Sequence, residues 1–168
     1  FFDGLLSTGK SDSAGRQMPA FLNDPELHVL PMTVPTGNGL LHAVGVAREV
    51  AGQPGAPIVM AGIGDGTTQQ GEVMEAIGEA AREGLPVLFW IEDNGYAISV
   101  PVEVNTAGGS ISKLVASFPG LYIQEVDGCD LLASYEVLQK AVAYARERKG
   151  PALVHAKVIR PYSHSLSD

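Results

Sequence analysis

The chain has 168 residues, of which 45% are hydrophobic and 18% charged, a composition that excludes a disordered, collagen-like or coiled-coil protein. A formal net charge of −8 argues against a nucleic-acid-binding surface, and no apolar run approaches the roughly 18–20 residues that a transmembrane helix needs. Cys129 is the single cysteine, so an internal disulfide is excluded and a reducing compartment fits: the cytoplasm, or the mitochondrial matrix in a eukaryote.

The first 35 residues carry little periodicity, and we predict an irregular N-terminal arm over 1–35. The chain begins at Phe1 without a methionine and ends on the polar segment YSHSLSD. We therefore expect it to be part of a larger protein.

The middle of the chain alternates helical and strand patterns. Apolar residues at helical spacing predict a helix over 37–51, and the run PIVMAGI predicts a strand over 57–63 that is buried on both faces. A glycine-rich turn follows, then a predicted helix over 69–83 that ends at Gly84, and a second buried strand over 86–92.

The same alternation continues to the end of the chain. We predict a short helix over 111–117, a strand over 121–126 and a last strand over 152–159. Between these strands, Asp130 is expected to cap a helix whose inward stripe is Leu131, Tyr135, Leu138, Val142 and Ala145. His155 lies within an apolar strand and is expected to be a hydrogen-bonded core residue.

This order predicts an α/β fold with a mainly parallel sheet and helices on both faces. In such sheets, ligands bind at the carboxyl ends of the strands. We therefore look for chemistry after Ile63, Glu92, Val126 and Ile159.

Two of these strand ends carry suitable groups. Gly64-Asp65-Gly66 lies between a strand and a helix, where glycines and backbone N–H groups suit a phosphate. A carboxylate there would repel the anion unless a divalent cation lay between them, so Asp65 indicates magnesium. After the next strand, the Asn94 side-chain oxygen and the Tyr96 carbonyl can complete one face of the ion.

Gly-Asp-Gly followed after 26 residues by Asp93-Asn94 resembles the thiamine diphosphate fingerprint, which ends in a pair of asparagines. In order, the segments that strengthen the likeness are GRQMP, GDGTTQQGEVMEA, EDNGYAIS and IRPYSHSLSD. With them, the whole chain resembles the alpha subunit of the decarboxylating component of 2-oxo acid dehydrogenase complexes, and the branched-chain (2-oxoisovalerate) type matches best.

The resemblance implies a thiamine diphosphate-binding fold in which residues 36–160 form the diphosphate and magnesium half of the site and 161–168 begin an active-site loop. It implies catalysis by His164, an ordering role for Arg160, and phosphorylation at Ser165 and Ser167 as in mitochondrial relatives. The implied cofactor contacts are Val34 and Thr36 on the aminopyrimidine, Ile98 near the thiazolium, Gly64, Gly66 and Thr67 on the diphosphate, and Asp65, Asn94 and Tyr96 on Mg²⁺.

The chain departs from the family at two positions. Asp93 replaces the first asparagine, which is not the metal ligand. Glu92 stands where branched-chain relatives often have a phosphate-facing arginine, although pyruvate-type relatives carry a glutamate there. The family's activating glutamate belongs to the beta subunit or beta-like half and is missing from this chain, which is therefore expected to be inactive alone.

The expected activity is oxidative decarboxylation of a small 2-oxo acid, branched-chain or pyruvate, with acyl transfer to lipoamide on the lipoyl domain of the acyltransferase component. Neither nucleic acid nor membrane is an expected partner.

Alternatives remain open. Gly-Asp-Gly alone often marks only a turn, and a Rossmann dinucleotide site is disfavoured because Gln69 stands in place of the third glycine. Without the resemblance, His164, Ser165 and Ser167 read as ordinary loop residues. Another thiamine diphosphate enzyme, such as an acetoin dehydrogenase or a transketolase half, and a catalytically incompetent binding domain are the other functional hypotheses.

Overall fold

The computed structural model describes residues 2–18, 21 and 23–166. The helices, in chain order, are α1 (Phe2–Leu5), α2 (Gly39–Val50), α3 (Gly71–Glu83), α4 (Val102–Asn105), α5 (Ile111–Leu114) and α6 (Leu131–Arg146). The strands are β1 (Val59–Gly64), β2 (Val87–Asp93), β3 (Tyr96–Ala97), β4 (Val100–Pro101), β5 (Tyr122–Asp127) and β6 (Ala152–Lys157). Short 3₁₀ turns cover Gly66–Gln69 and Ala107–Gly109.

A parallel four-stranded sheet in the order β1-β2-β6-β5 forms the centre of the described part. The chain moves from β1 through β2 to β5 with α3 and α5 on one face, then returns to β6 through α6 on the other face. This change of side is what right-handed crossovers require when the direction along the sheet reverses. The predicted α/β fold with a mainly parallel sheet and helices on both faces is confirmed.

The core consists of two apolar layers that β2 joins. Val87, Phe89 and Ile91 point towards α2, α3 and α5, whereas Leu88 and Trp90 point towards α6. This alternation follows from the two-residue period of a strand, and β6 joins the two layers in the same way, with Leu153 in one and Val154 in the other.

Predicted helix ends are confirmed at two positions. Gly84 ends α3 with φ +64°, and its N–H donates to carbonyls of the last turn. The Asp130 carboxylate accepts the Leu132 and Ala133 N–H groups at 3.0 Å each, so it caps α6 as predicted.

The helix after the glycine-rich turn begins later than predicted. Residues 66–69 form a 3₁₀ turn, and Gln70 is extended (φ −72°, ψ 137°) before α3 begins at Gly71. The Thr68 hydroxyl donates to the Asp65 carbonyl at 2.6 Å, which stabilises this tighter turn. Asp65 therefore opens a 3₁₀ turn, not the α-helix itself.

Two burial predictions are wrong. β1 is an edge strand in the described sheet, and its Met60 side chain is 55% exposed. On α6, Leu131 and Tyr135 are 81% and 60% exposed. The rest of the predicted stripe, Leu138, Val142 and Ala145, does pack on the sheet, together with the small side chains of Ser134 and Ala141.

The described N-terminal residues include the short helix α1 and an isolated bridge between Asp24 and Val29. Among residues 2–18, 21 and 23–166, no helix combines the length and the apolar character needed to cross a membrane.

Candidate active site

The carboxyl ends of β1 and β2 meet at the site. Gly64 pairs with Glu92 in the parallel register, and the Asp65 N–H donates to the Glu92 carbonyl at 3.2 Å. Two residues after Glu92, the Asn94 N–H donates to Oδ1 of Asp65 at 3.4 Å. The two motifs that the sequence separates by 26 residues are thus neighbours.

Asp65 is a buried acid that is only half satisfied. It is 2% exposed, and its Oδ2 is buried without a hydrogen-bond partner in the described part of the chain. Burial, with a smaller contribution from the nearby charge of Asp93, raises the pKa of Asp65. An unpaired buried carboxylate oxygen is costly unless a cation compensates it, so this group fits a metal ligand.

The turn after β2 supplies neutral oxygen atoms. The Tyr96 N–H donates to Oδ1 of Asn94 at 3.2 Å, and Gly95 in this turn has φ +82°. No cluster of three or more acidic, histidine or cysteine side chains suited to a metal occurs among the described residues. A cation at Asp65 would therefore need amide and main-chain oxygen atoms; Asn94 contacts Asp65, and Tyr96 follows in the same turn.

Gly66 makes a closer contact than the sequence indicates. A Cβ at Gly66 would lie 2.6 Å from Cβ and 2.9 Å from Cα of Ala97, whereas one at Gly64 would meet nothing closer than 3.9 Å. The β3–β4 hairpin therefore packs so closely against Gly66 that no side chain fits at this position. This contact holds Tyr96 and Ala97 against the turn that carries Asp65.

The segment containing Val34 and Thr36 also reaches this region. Gly37, with φ +90°, lies against Thr67: a Cβ there would be 3.4 Å from its methyl group. Val34 and Thr36 themselves are exposed, Val34 by 71%. The structure brings this stretch next to Thr67, and its contact with a pyrimidine ring stays a prediction.

Ile98 and Arg160 join the hairpin to the chain after β6. Ile98 has φ +58°, and its carbonyl accepts Nη2 of Arg160 at 2.8 Å. The Arg160 guanidinium also lies 6.0 Å from the Tyr96 ring centroid. Arg160 thus contacts the hairpin that carries Tyr96 and Ile98.

A buried polar network below the turn could not be located from the sequence. Asp93 Oδ2 lies 2.7 Å from His155 Nε2 and also accepts Nζ of Lys157, while Oδ1 accepts the Gly95 N–H at 2.8 Å. His155 Nδ1 lies 3.0 Å from Oγ of Ser112. His155 is therefore a hydrogen-bonded core histidine, as expected. A usable signal was the polar His155 within the apolar strand ALVHAKVI.

The remaining predicted residues lie apart from this cluster. His164 and Ser165 are exposed in the segment after Arg160, and Ser167 falls outside the described residues. Glu92 is exposed, and its carboxylate accepts the Trp90 indole N–H at 3.1 Å. That contact holds the Glu92 carboxylate against the side chain of its own strand neighbour.

The parallel sheet, with these groups at adjacent strand ends, is an α/β thiamine diphosphate-binding fold. The family model described as the dehydrogenase E1 component matches residues 1–168, the whole chain. The chain belongs to this family, whose members depend in general on thiamine diphosphate.

Named relatives agree with this assignment. The chain is 39% identical over 140 residues to the 3-methyl-2-oxobutanoate dehydrogenase subunit alpha of Mycobacterium tuberculosis, covering 82% of this chain and 37% of the relative. It is 32% identical over 169 residues to the Bacillus subtilis 2-oxoisovalerate dehydrogenase subunit alpha, covering 98% of this chain and 50% of that relative. It is 36% identical over 138 residues to the pyruvate dehydrogenase E1 component subunit alpha of Porphyra purpurea, covering 80% and 39%. The chain thus spans between about a third and a half of these relatives.

Proposed function

We propose that this chain contributes the diphosphate and magnesium half of a thiamine diphosphate site in the alpha subunit, or alpha-like half, of a 2-oxo acid dehydrogenase. The proposed reaction is oxidative decarboxylation of a branched-chain 2-oxo acid or pyruvate, with acyl transfer to lipoamide. The observation that carries the proposal is the buried Asp65 carboxylate, whose Oδ2 is unpaired beside Asn94.

Asp65, Asn94 and the Tyr96 carbonyl would hold Mg²⁺, and Gly64, Gly66 and Thr67 would face the diphosphate. The fit rests on chemistry: a hard cation prefers oxygen ligands, and Asp65 provides a negative charge whose Oδ2 is buried without a hydrogen-bond partner among the described residues. Val34 and Thr36 would contact the aminopyrimidine and Ile98 the thiazolium. Residues 36–160 are then the cofactor domain, and 161–168 begin the catalytic loop.

When bound, thiamine diphosphate supplies the electron sink for decarboxylation. The chain's own residues bind and orient: the Gly66 contact keeps the hairpin close, and Arg160 holds the Ile98 carbonyl. His164 lies in an exposed segment, where it would reach a bound substrate and manage protons at the reacting centre.

The proposal includes partners that this chain does not contain. A beta subunit or beta-like half would supply the activating glutamate, and the lipoyl domain of an acyltransferase would accept the acyl group. We infer a cytoplasmic enzyme, or a mitochondrial matrix enzyme if the source is eukaryotic, because the sequence carries a single, exposed cysteine.

A substrate panel tests the reaction. The full-length protein, assembled with its beta partner, is expected to release carbon dioxide from 2-oxoisovalerate or pyruvate only with thiamine diphosphate and Mg²⁺. Turnover of acetoin alone would favour an acetoin dehydrogenase instead, and cofactor binding without turnover of any member of the panel would favour a binding domain. The chain of 168 residues alone serves as the control and is expected to be inactive.

A further inference from the structure

Two buried polar residues on adjacent strands lie below the turn that carries Asn94 and Tyr96. Asp93 ends β2 and His155 lies in β6; they are 2% and 1% exposed, respectively. Their contact, 2.7 Å between Oδ2 and Nε2, joins positions 62 residues apart in the chain. A carboxylate that is buried this deeply requires hydrogen-bond donors. Asp93 has three: His155, Lys157 and the Gly95 N–H.

Asp93 acts on the turn through its other oxygen. Oδ1 accepts the Gly95 N–H at 2.8 Å, and Gly95 adopts a left-handed φ of +82°. Gly95 lies between Asn94 and Tyr96. The orientation of the Asp93 carboxylate therefore fixes the backbone that carries the two proposed oxygen ligands of the metal, the Asn94 side chain and the Tyr96 carbonyl.

His155 in turn fixes that direction. Its Nε2 meets Asp93, while its Nδ1 lies 3.0 Å from Oγ of Ser112, a buried residue that donates to the half-exposed carboxylate of Glu125. A ring held at both nitrogen atoms has a single orientation. Lys157, the other donor to Asp93, has a side chain that is 52% exposed and can leave the carboxylate more easily.

The two neighbouring carboxylates therefore differ in what they can do. Both oxygens of Asp93 are engaged, whereas Asp65 has an unpaired Oδ2. A cation entering between the strand ends would meet Asp65 as the available carboxylate. Removing His155 would partly free Asp93, both to turn away from Gly95 and to compete for the ion.

We propose that Asp93 and His155 are positioning residues, which hold the Asn94–Tyr96 turn in the geometry for the cation and keep Asp93 from competing with Asp65 for it. This inference rests on the proposed function. It adds that a histidine on β6, remote from the cofactor residues in sequence, sets the affinity for the metal.

The test compares variants of the full-length protein with Mn²⁺ as the probe, counted by electron paramagnetic resonance in the presence of thiamine diphosphate. His155→Leu removes the donor to Asp93, whereas His155→Gln keeps a side-chain N–H for it. Leu153→Ala is the matched control, because Leu153 is fully buried at the preceding position of β6 that faces the same layer.

We expect His155→Leu to weaken Mn²⁺ binding about 10- to 100-fold, the usual effect of removing a group that orients a metal ligand. His155→Gln and Leu153→Ala should stay within about threefold of the unmodified protein, although Leu153→Ala lowers the melting temperature. Equal affinity in His155→Leu, or an equal loss in Leu153→Ala, would overturn the inference.

A second measurement does not depend on the metal. Hydrogen exchange at the Gly95 amide should accelerate about tenfold in metal-free His155→Leu, because the hydrogen bond to Asp93 is loosened, and remain slow in Leu153→Ala. Unchanged exchange would contradict the positioning role even if the unmodified protein failed to bind thiamine diphosphate, a failure that would separately refute the proposed function.

A second pair of variants covers the case in which His155→Leu does not fold. Asp93→Asn keeps an oxygen for the Gly95 N–H, whereas Asp93→Ala removes it. Asparagine should retain Mn²⁺ affinity within about threefold and alanine should lose about tenfold. Equal affinities in these two variants would overturn the inference.

Discussion

Gly66 lies against Ala97 so closely that a Cβ atom at Gly66 would come within 2.6 Å of the alanine Cβ. This contact joins the turn after β1 to the β3–β4 hairpin, and so brings Asp65 and Tyr96 to the same place. The second glycine of the Gly-Asp-Gly motif is thus required by the packing of the protein itself, independently of any ligand.

We expect Gly66→Ala to push the hairpin away, to destabilise the fold by about 1–3 kcal/mol and to weaken magnesium-dependent thiamine diphosphate binding at least tenfold. Calorimetric titration and thermal unfolding of the full-length protein measure both effects. Gly71→Ala is the control, since a Cβ at Gly71 meets nothing within 4 Å. Wild-type affinity in Gly66→Ala would show that the contact is dispensable.

Arg160 holds the hairpin from the other side, through the Ile98 carbonyl. Arg160→Ala should speed hydrogen exchange across 96–101 and weaken cofactor binding about tenfold, because a charged donor to that carbonyl is lost. Arg82→Ala, which removes an exposed side chain paired with Glu79 and Glu83, should change neither quantity. Equally slow hydrogen exchange in Arg160→Ala would show that the hairpin is stable without the Arg160 contact.

His164 is proposed to act on the substrate and not on the fold. His164→Ala should lower kcat by about 10²–10⁴-fold while the Kd for thiamine diphosphate stays the same, as expected when a proton-transfer group is removed. Steady-state kinetics of the assembled enzyme and a cofactor titration measure the two values. A parallel loss of cofactor affinity would mean that His164 helps to form the binding site instead.

The Asp130 cap allows fold stability to be separated from the site. Asp130→Ala removes the acceptor for two N–H groups at the start of α6 and should cost about 1 kcal/mol of unfolding free energy. Cofactor affinity should not change, because α6 packs on the face of the sheet away from α3. Chemical denaturation and calorimetry together check this, and an altered affinity would indicate coupling between α6 and the site.

Local signals predicted much of the fold. Gly84 and Asp130 stop and start helices through contacts within a few residues, and both were predicted correctly. The buried face of α6 was predicted correctly at Leu138, Val142 and Ala145 but wrongly at Leu131 and Tyr135, which are exposed, and the fully buried Ala141 was missed because a small residue gives little hydrophobic signal. The periodicity of large apolar residues does not report such a position.

At the site, spacing predicted that Asp65 and Asn94 would meet, because parallel strands end at one edge of a sheet. The contact of Asp93 with His155 could not be predicted in the same way. It depends on β6 lying next to β2 in the sheet, although β5 comes between these two strands in the sequence. Likewise, only the folded hairpin reveals why Gly66 is glycine.

Asp65 also makes stability depend on pH. Its pKa is raised by burial in the folded chain, so folding favours the protonated carboxyl; this contribution is present below the unfolded pKa and is lost as the pH rises through the folded pKa. Metal-free Asp65→Asn should therefore be more stable than the unmodified protein at pH 7, by about 1–3 kcal/mol, and the advantage should vanish in acid. Denaturation curves across pH measure the difference. If the unmodified protein were the more stable of the two at pH 7, the ionised Asp65 carboxylate would not destabilise the fold, contrary to this prediction.

In the proposed site, Asp65 binds the metal that holds the diphosphate. Isothermal titration of the full-length protein with thiamine diphosphate, with and without Mg²⁺, tests it most directly when Asp65→Asn is measured beside the unmodified protein. We expect Mg²⁺-dependent binding that Asp65→Asn abolishes while the variant stays folded. Binding that is unchanged in Asp65→Asn, or no binding by the folded unmodified protein, would contradict it.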